Sequence, residues 1–132
     1  MFASTLVTDN WQGPINNESD VDQPTDDQIA DAIGRLDAKR RTVVTLLAEG
    51  ECHMAVGGGE GRYVGYVTYD NMKFHQLQTS AAPQGPEVDL CVGGQVGNYA
   101  PSDIVSREVA VRAALHFAAT GELDPSCEWK GA

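Results

Sequence analysis

Arg62-Tyr63-Val64-Gly65-Tyr66-Val67-Thr68-Tyr69 (RYVGYVTY) decides the fold class of this 132-residue chain. Aromatic and β-branched residues dominate it, and these side chains suit the pleated, half-buried surface of a strand. Working outward, Asp70-Asn71 can supply the positive φ angles of a two-residue hairpin turn. Met72 to Leu77 then returns as the partner strand, with Met72, Phe74 and Gln76 on one face and Lys73, His75 and Leu77 on the other. Upstream, Gly57-Gly58-Gly59-Glu60-Gly61 reads as a wide glycine turn that ends a strand over Cys52 to Val56. Glu49-Gly50 is a further turn, preceded by the β-branched run Thr42 to Ala48. The result is a four-stranded meander.

Helices flank it. Thr25-Asp26-Asp27-Gln28 has capping-box spacing, and Ile29, Ile33 and Leu36 follow at helical intervals. The spacing predicts a helix over 26–39, with Gly34 a weak point and Lys39, Arg40 and Arg41 where a helix C-terminus favours cations. A second helix is predicted from Ser102 or Ser106 to Thr120, closed by Gly121 as an αL cap. Its apolar stripe is Val109, Ala113, His116 and Phe117, widened by Ala114, Leu115 and Ala118. Residues 3–8 read as a short strand and 9–27 as an irregular acidic loop. A Pro- and Gly-bearing loop over 81–86 leads to a strand over 88–92 that ends at Gly93-Gly94. Helix, antiparallel strands, helix argues for α+β: an antiparallel meander sheet in a single domain over 1–132, with two main helices packed on one face.

Charge narrows the partners. Nineteen Asp and Glu stand against nine Lys and Arg, a formal charge of −10. Nucleic-acid binding runs on phosphate neutralisation by a basic surface, and anionic membranes select the same sign, so no nucleic acid and no membrane are expected. What this leaves open is a basic partner, or simply a solubility charge. Cys52, Cys91 and Cys127 are too few and too scattered for a disulfide scaffold, and reduced thiols in a cytoplasmic setting are expected. The first ten residues lack a signal-peptide pattern, and no segment approaches the ~20 apolar residues that span a bilayer.

No complete catalytic, cofactor or metal motif is present. A phosphate loop in the register of Gly57 and Gly59 would need glycine where Arg62 stands, and a strand follows instead of a helix. Cys52-His53 would point to opposite faces of a strand, and the zinc-deaminase signatures are missing. His116 reads as a packed boundary histidine. Acids remain: Asp9, Glu18, Asp20, Asp22, Asp26, Asp27, Asp31 and Asp37 against Arg35 alone in residues 9–37, then Glu49, Glu51, Glu60 and Asp70 at the predicted turns. Tyr63, Tyr66, Tyr69 and Tyr99 lie in or near the sheet. Acids that speed encounter beside aromatic anchors suit a protein interface, for which the candidates are Asp20, Asp22, Glu49, Glu51, Glu60, Tyr69, Asp70 and Tyr99. Solubility charge around tyrosines of the sheet core is the alternative reading.

Ala55 to Tyr63 (AVGGGEGRY), Gly85 to Gly94 (GPEVDLCVGG) and Val109 to Trp129 (VAVRAALHFAATGELDPSCEW) resemble the first family of immunity proteins of bacterial polymorphic toxin systems. The matching features are structural: turns at Gly57-Gly58 and Gly93-Gly94, Phe117 before Thr120-Gly121, and Trp129 closing a short tail. The resemblance implies an inhibitor, not an enzyme, that binds a cognate toxin in the cytoplasm of the producing cell. Toxins of this kind are often double-stranded-DNA cytosine deaminases, so a deaminase with a basic surface is the expected partner. The alternatives are a small cysteine- or carboxylate-dependent hydrolase and a general protein-interaction module.

Overall fold

The stretch RYVGYVTY forms the strand Arg62–Thr68, inside a seven-stranded antiparallel sheet. The computed structural model describes residues 1–79 and 85–131. In chain order its strands are β1 (Thr5–Thr8), β2 (Trp11–Gln12), β3 (Ile15–Asn16), β4 (Ser19–Asp22), β5 (Val43–Leu47), β6 (His53–Gly59), β7 (Arg62–Thr68), β8 (Phe74–Gln78), β9 (Val88–Val92), β10 (Gln95–Tyr99) and β11 (Glu128–Lys130). Helix α1 (Asp26–Gly34) precedes β5, and α2 (Arg107–Thr120) follows a short 3-10 turn at Pro101–Asp103. The sheet order is β11-β8-β7-β6-β5-β1-β4, while β9 and β10 form a hairpin of their own and β2 and β3 another. The fold is α+β with the expected meander at its centre.

Period-two alternation sorts the sheet into two faces. Leu6, Val44, Leu46, Met54, Val56, Val67 and Leu77 point to the helices and are buried with Ile29, Ile33, Ala113, Ala114 and Phe117. Each such side chain stabilises the fold by about 1.5–3 kcal/mol relative to exposure. The opposite face is read from the register. One row across it is Phe74, Thr68, His53, Leu47, Thr5 and Asp22, and the next is Gln76, Tyr66, Ala55, Thr45, Val7 and Asp20. The β9–β10 hairpin covers the far half of this face, where Val92 sits over Gly57 so closely that a Cβ there would collide with it.

The helices start as their sequences dictate. Both bonds of the Thr25–Gln28 capping box are made, at 3.2 and 2.9 Å. Ser106 caps α2, and Gly121 closes it at φ 78° with its N–H donating to the Phe117 carbonyl. Beside it, the N–H groups of Phe2 and Ala3 both donate to the Ala118 carbonyl, and the Phe2 ring meets Phe117 edge-on. However, α1 stops at Gly34 instead of continuing to 39. The Asp37 carboxylate accepts the N–H groups of Lys39, Arg40 and Arg41 at 2.9, 2.9 and 3.0 Å and wraps them into a turn, so these cations lie beyond the helix. Burial pushes the Asp37 carboxyl up, but these backbone donors outweigh it and leave the pKa below the ordinary value.

Four other expectations change. Gly57–Gly59 belong to β6 itself, and the turn is the two-residue Glu60-Gly61, at φ 55° and 88°. The β7–β8 connection is the five-residue loop 69–73, not a two-residue turn: Thr68 pairs with Phe74, and Asp70 accepts from the N–H groups of Met72 and Lys73. Within 9–27 lie β2, β3 and the edge strand β4, and β9 acquires an unforeseen partner in β10 across Gly93-Gly94. Of the loop expected over 81–86, positions 81–84 lie outside the described residues.

Asp9 is the largest departure from the acidic-surface reading. It is buried, and its oxygens accept from the N–H groups of Thr42 and Val43, from Trp11 Nε1 at 2.8 Å and from the Thr42 hydroxyl. Thr42 Oγ1 in turn accepts the Gly94 N–H at 2.9 Å, and Gly94 lies so close to the Trp11 ring that no side chain fits there. One carboxylate thus ties β1, β5 and the second hairpin together.

Candidate functional site

Strand direction places the sequence-predicted contact residues at different ends of the sheet. The β5–β6 turn, the 69–73 loop and the end of β4 share one end, which gathers Glu49, Glu51, Tyr69, Asp70 and Asp22. Asp20 lies two residues back along β4; Val21 packs on the core, so Asp20 and Asp22 project from the helix-free face. Glu60 is at the opposite end, with its carboxylate 3.9 Å from Lys39 Nζ. Tyr99 lies on β10 opposite Val88 and lines a small cavity with Val92, Gly57 and Tyr66. Gly57, Gly58, Gly93 and Gly94 occupy β6 and the second hairpin's turn, Phe117 the core. Trp129, paired with Leu77, packs on that core and donates from Nε1 to the Asp124 carbonyl at 3.0 Å.

Most cations gather at the end that holds Glu60, where acids accompany them: Asp31 pairs with Arg35, Glu60 lies 3.9 Å from Lys39 Nζ, and Asp37 holds the turn of Lys39, Arg40 and Arg41. α1 runs away from the first end and α2 toward it, so Asp26, Asp27 and Glu122 join the five residues there, while Arg35, Lys39, Arg40, Arg41, Arg62 and Arg107 collect at the other. Lys73 and Lys130 are the cations near the acidic end. The Asp70 carboxyl is held below its ordinary pKa by the N–H groups of Lys73 and Met72. Exposed apolar side chains share this end: Met72 is 82%, Tyr69 45% and Leu47 38% accessible.

Each tyrosine has a separate role. Tyr63 is buried in the core. Tyr69 donates its hydroxyl to the Gly121 carbonyl at 2.7 Å, tying the 69–73 loop to the end of α2. Tyr66 is half-buried on the helix-free face, where burial pushes its phenol pKa up. Its hydroxyl lies 3.2 Å from His53 Nε2, and its ring meets Phe74 at 5.1 Å. Leu47, His53 and Phe74 were missed as contact candidates. Alternation places Phe74 on one face of its strand, but only the register shows that Leu47, His53 and Phe74 form one row.

Among the described residues, Cys52 and His53 do not converge as a catalytic pair. Cys52 faces the core while His53 faces away from it, and burial pushes the thiols of Cys52, Cys91 and Cys127 up, against thiolate formation. Among the described residues no group of three or more His, Cys, Asp and Glu side chains is arranged to hold a metal. His116 Nε2 is buried without a partner, as a boundary histidine on α2. A cavity of about 300 Å³ between α1 and the β1–β4 edge is lined by Gln28, Asp31, Arg35 and Arg41 among others. No described helix is long and apolar enough to cross a membrane.

Compared with known families, residues 17–131 match the model described as immunity protein Imm1. No curated protein matches the chain in sequence.

Proposed function

The chain belongs to the Imm1 family of immunity proteins, and from that premise we propose that it neutralises a cognate DNA cytidine deaminase toxin by binding it in the cytoplasm of the producing cell. It acts as an inhibitor with no catalysis of its own. The family match over residues 17–131 carries this reading, because an immunity protein implies a toxin to be bound. The deaminase is the finer step, and charge supports it. A DNA deaminase needs a basic cleft for phosphates and a pocket for the flipped base. A protein of formal charge −10 that presents Glu49, Glu51, Asp70 and Asp22 at one end of its sheet is complementary to that cleft. Seated there, it competes with DNA and closes the pocket sterically, with salt-sensitive association and slow dissociation.

Co-purification with the toxin domain encoded beside it, followed by a deamination assay on duplex DNA, tests the proposal. A one-to-one complex with deamination silenced is the expected result. A complex that leaves deamination intact, or no complex at all, overturns it.

A further inference from the structure

The helix-free face of the sheet is covered unevenly. The β9–β10 hairpin sits on one half through Val92. On the other half Leu47, His53 and Phe74 stay partly exposed, and Tyr66 stands at the edge of the hairpin, where it lines a small cavity with Val92 and Tyr99. This floor is pre-ordered. His53 Nδ1 lies 2.9 Å from the Glu51 carbonyl, which can only accept, so the ring proton sits on Nδ1 and Nε2 accepts from the Tyr66 hydroxyl. His53 and Phe74 both meet Tyr66 edge-on. Aromatic rings already fixed in place lose little freedom on binding, as contact residues should.

We infer that the cognate toxin docks on this open half of the face, with a basic surface of the toxin meeting the acids that border it. The inference rests on the immunity reading above and adds a location to it. Charge complementarity chooses the occupant and its orientation. Glu49 and Glu51 border the floor at the β5–β6 turn, and Asp20 and Asp22 border it along β4. At the opposite end of the sheet the cations stand among Asp31, Asp37 and Glu60, so that end offers no comparable acidic border. The site therefore uses Glu49, Glu51, Asp20 and Asp22 of the sequence-predicted set, and excludes Glu60.

Binding of the purified toxin domain by the full chain tests this. Leu47→Lys places a charge in the floor at an exposed position and is expected to weaken binding by about 30-fold or more, as loss of a central contact does. The pair Glu49→Lys and Glu51→Lys is expected to slow association about 10-fold at low salt, with dissociation little changed. Glu60→Lys and Val96→Lys, at the far turn and at the hairpin, should bind as the parent does. Should Leu47→Lys fail to fold, hydrogen exchange on the parent complex gives the same answer: protection over 47–53 and 66–74 supports the site. Parent-like binding by the floor and border variants, or protection confined to 37–41 and 88–99, overturns this location while leaving the immunity reading intact. Absence of any toxin complex overturns both.

Discussion

On the helix-covered face of the sheet, Met54, Val67 and Leu77 are sealed from water; an odd number of residues away along the same strands, His53, Tyr66 and Phe74 remain partly open. The two sets alternate in the same segments and share the same ladder, yet only the first set holds the fold together. A sheet with one packed face and one open face can change its open residues at small cost in stability. An inhibitor that must match a particular partner benefits from that separation.

Replacing a core ring tests the comparison most severely. Phe117→Ala should cost about 3–5 kcal/mol in urea unfolding, because the ring is fully buried between α2 and the sheet. Toxin affinity of the folded fraction should stay unchanged, and a selective loss of affinity would break the division between faces. Asp9→Ala comes next, at about 2–3 kcal/mol, since it leaves the N–H groups of Thr42 and Val43 and the Trp11 indole without their acceptor. Trp129→Ala should cost about 2 kcal/mol by thermal unfolding, below the full price of a buried ring because its edge is exposed. Gly57→Ala sharpens the contrast within the helix-free face. Its Cβ displaces Val92, which should cost about 1–2 kcal/mol and speed amide exchange in β9 and β10 ahead of the sheet.

The smallest effect is in the acid limb. Asp37, Asp70 and Asp124 have folded pKa values below the ordinary aspartate value. Asp37 and Asp124 are first pushed up by burial, which is outweighed by backbone donors at Asp37 and by the Ser126 N–H and hydroxyl at Asp124; Asp70 is lowered by the N–H groups of Lys73 and Met72. Their contribution is present above the unfolded value and is lost as pH falls through the lower folded values. Melting temperature should therefore decline below about pH 4, and Asp124→Asn should flatten part of that decline. An unaltered acid limb in Asp124→Asn would remove that carboxylate from the account.

Local signals made the meander, the start of α1, the αL cap at Gly121 and the short first strand legible in the sequence. The start of α2 was open between Ser102, which lies in the 3-10 turn, and Ser106, which caps the helix. What escaped depends on residues far apart in the chain. Ser19–Asp22 has one inward apolar residue, Val21, and becomes a strand because β1 supplies its ladder. Ser-Asp-Val-Asp otherwise reads as a solvated loop. Lys39, Arg40 and Arg41 read as the cations of a helix end, but the Asp37 carboxylate holds their N–H groups in a turn. Asp9 looked like surface charge because its donors are 33 and 34 residues downstream. For the candidate site, the turn acids were readable, but their division between two ends of the sheet required strand direction, and the row Leu47, His53, Phe74 required the register.

The contact of Phe2 with Phe117, reinforced by two N–H groups on the Ala118 carbonyl, bears on timing during synthesis. The meander closes through short loops and can assemble while later residues are still being made. The start of the chain must wait: β1 lacks its inner neighbour until β5 has left the ribosome, and Phe2 lacks its seat until α2 is complete. Synthesis that stops before residue 117 leaves that aromatic end uncovered and open to chaperones and proteases. Completion of α2 is thus what first gives Phe2 its seat, before β11 closes the sheet beside β8.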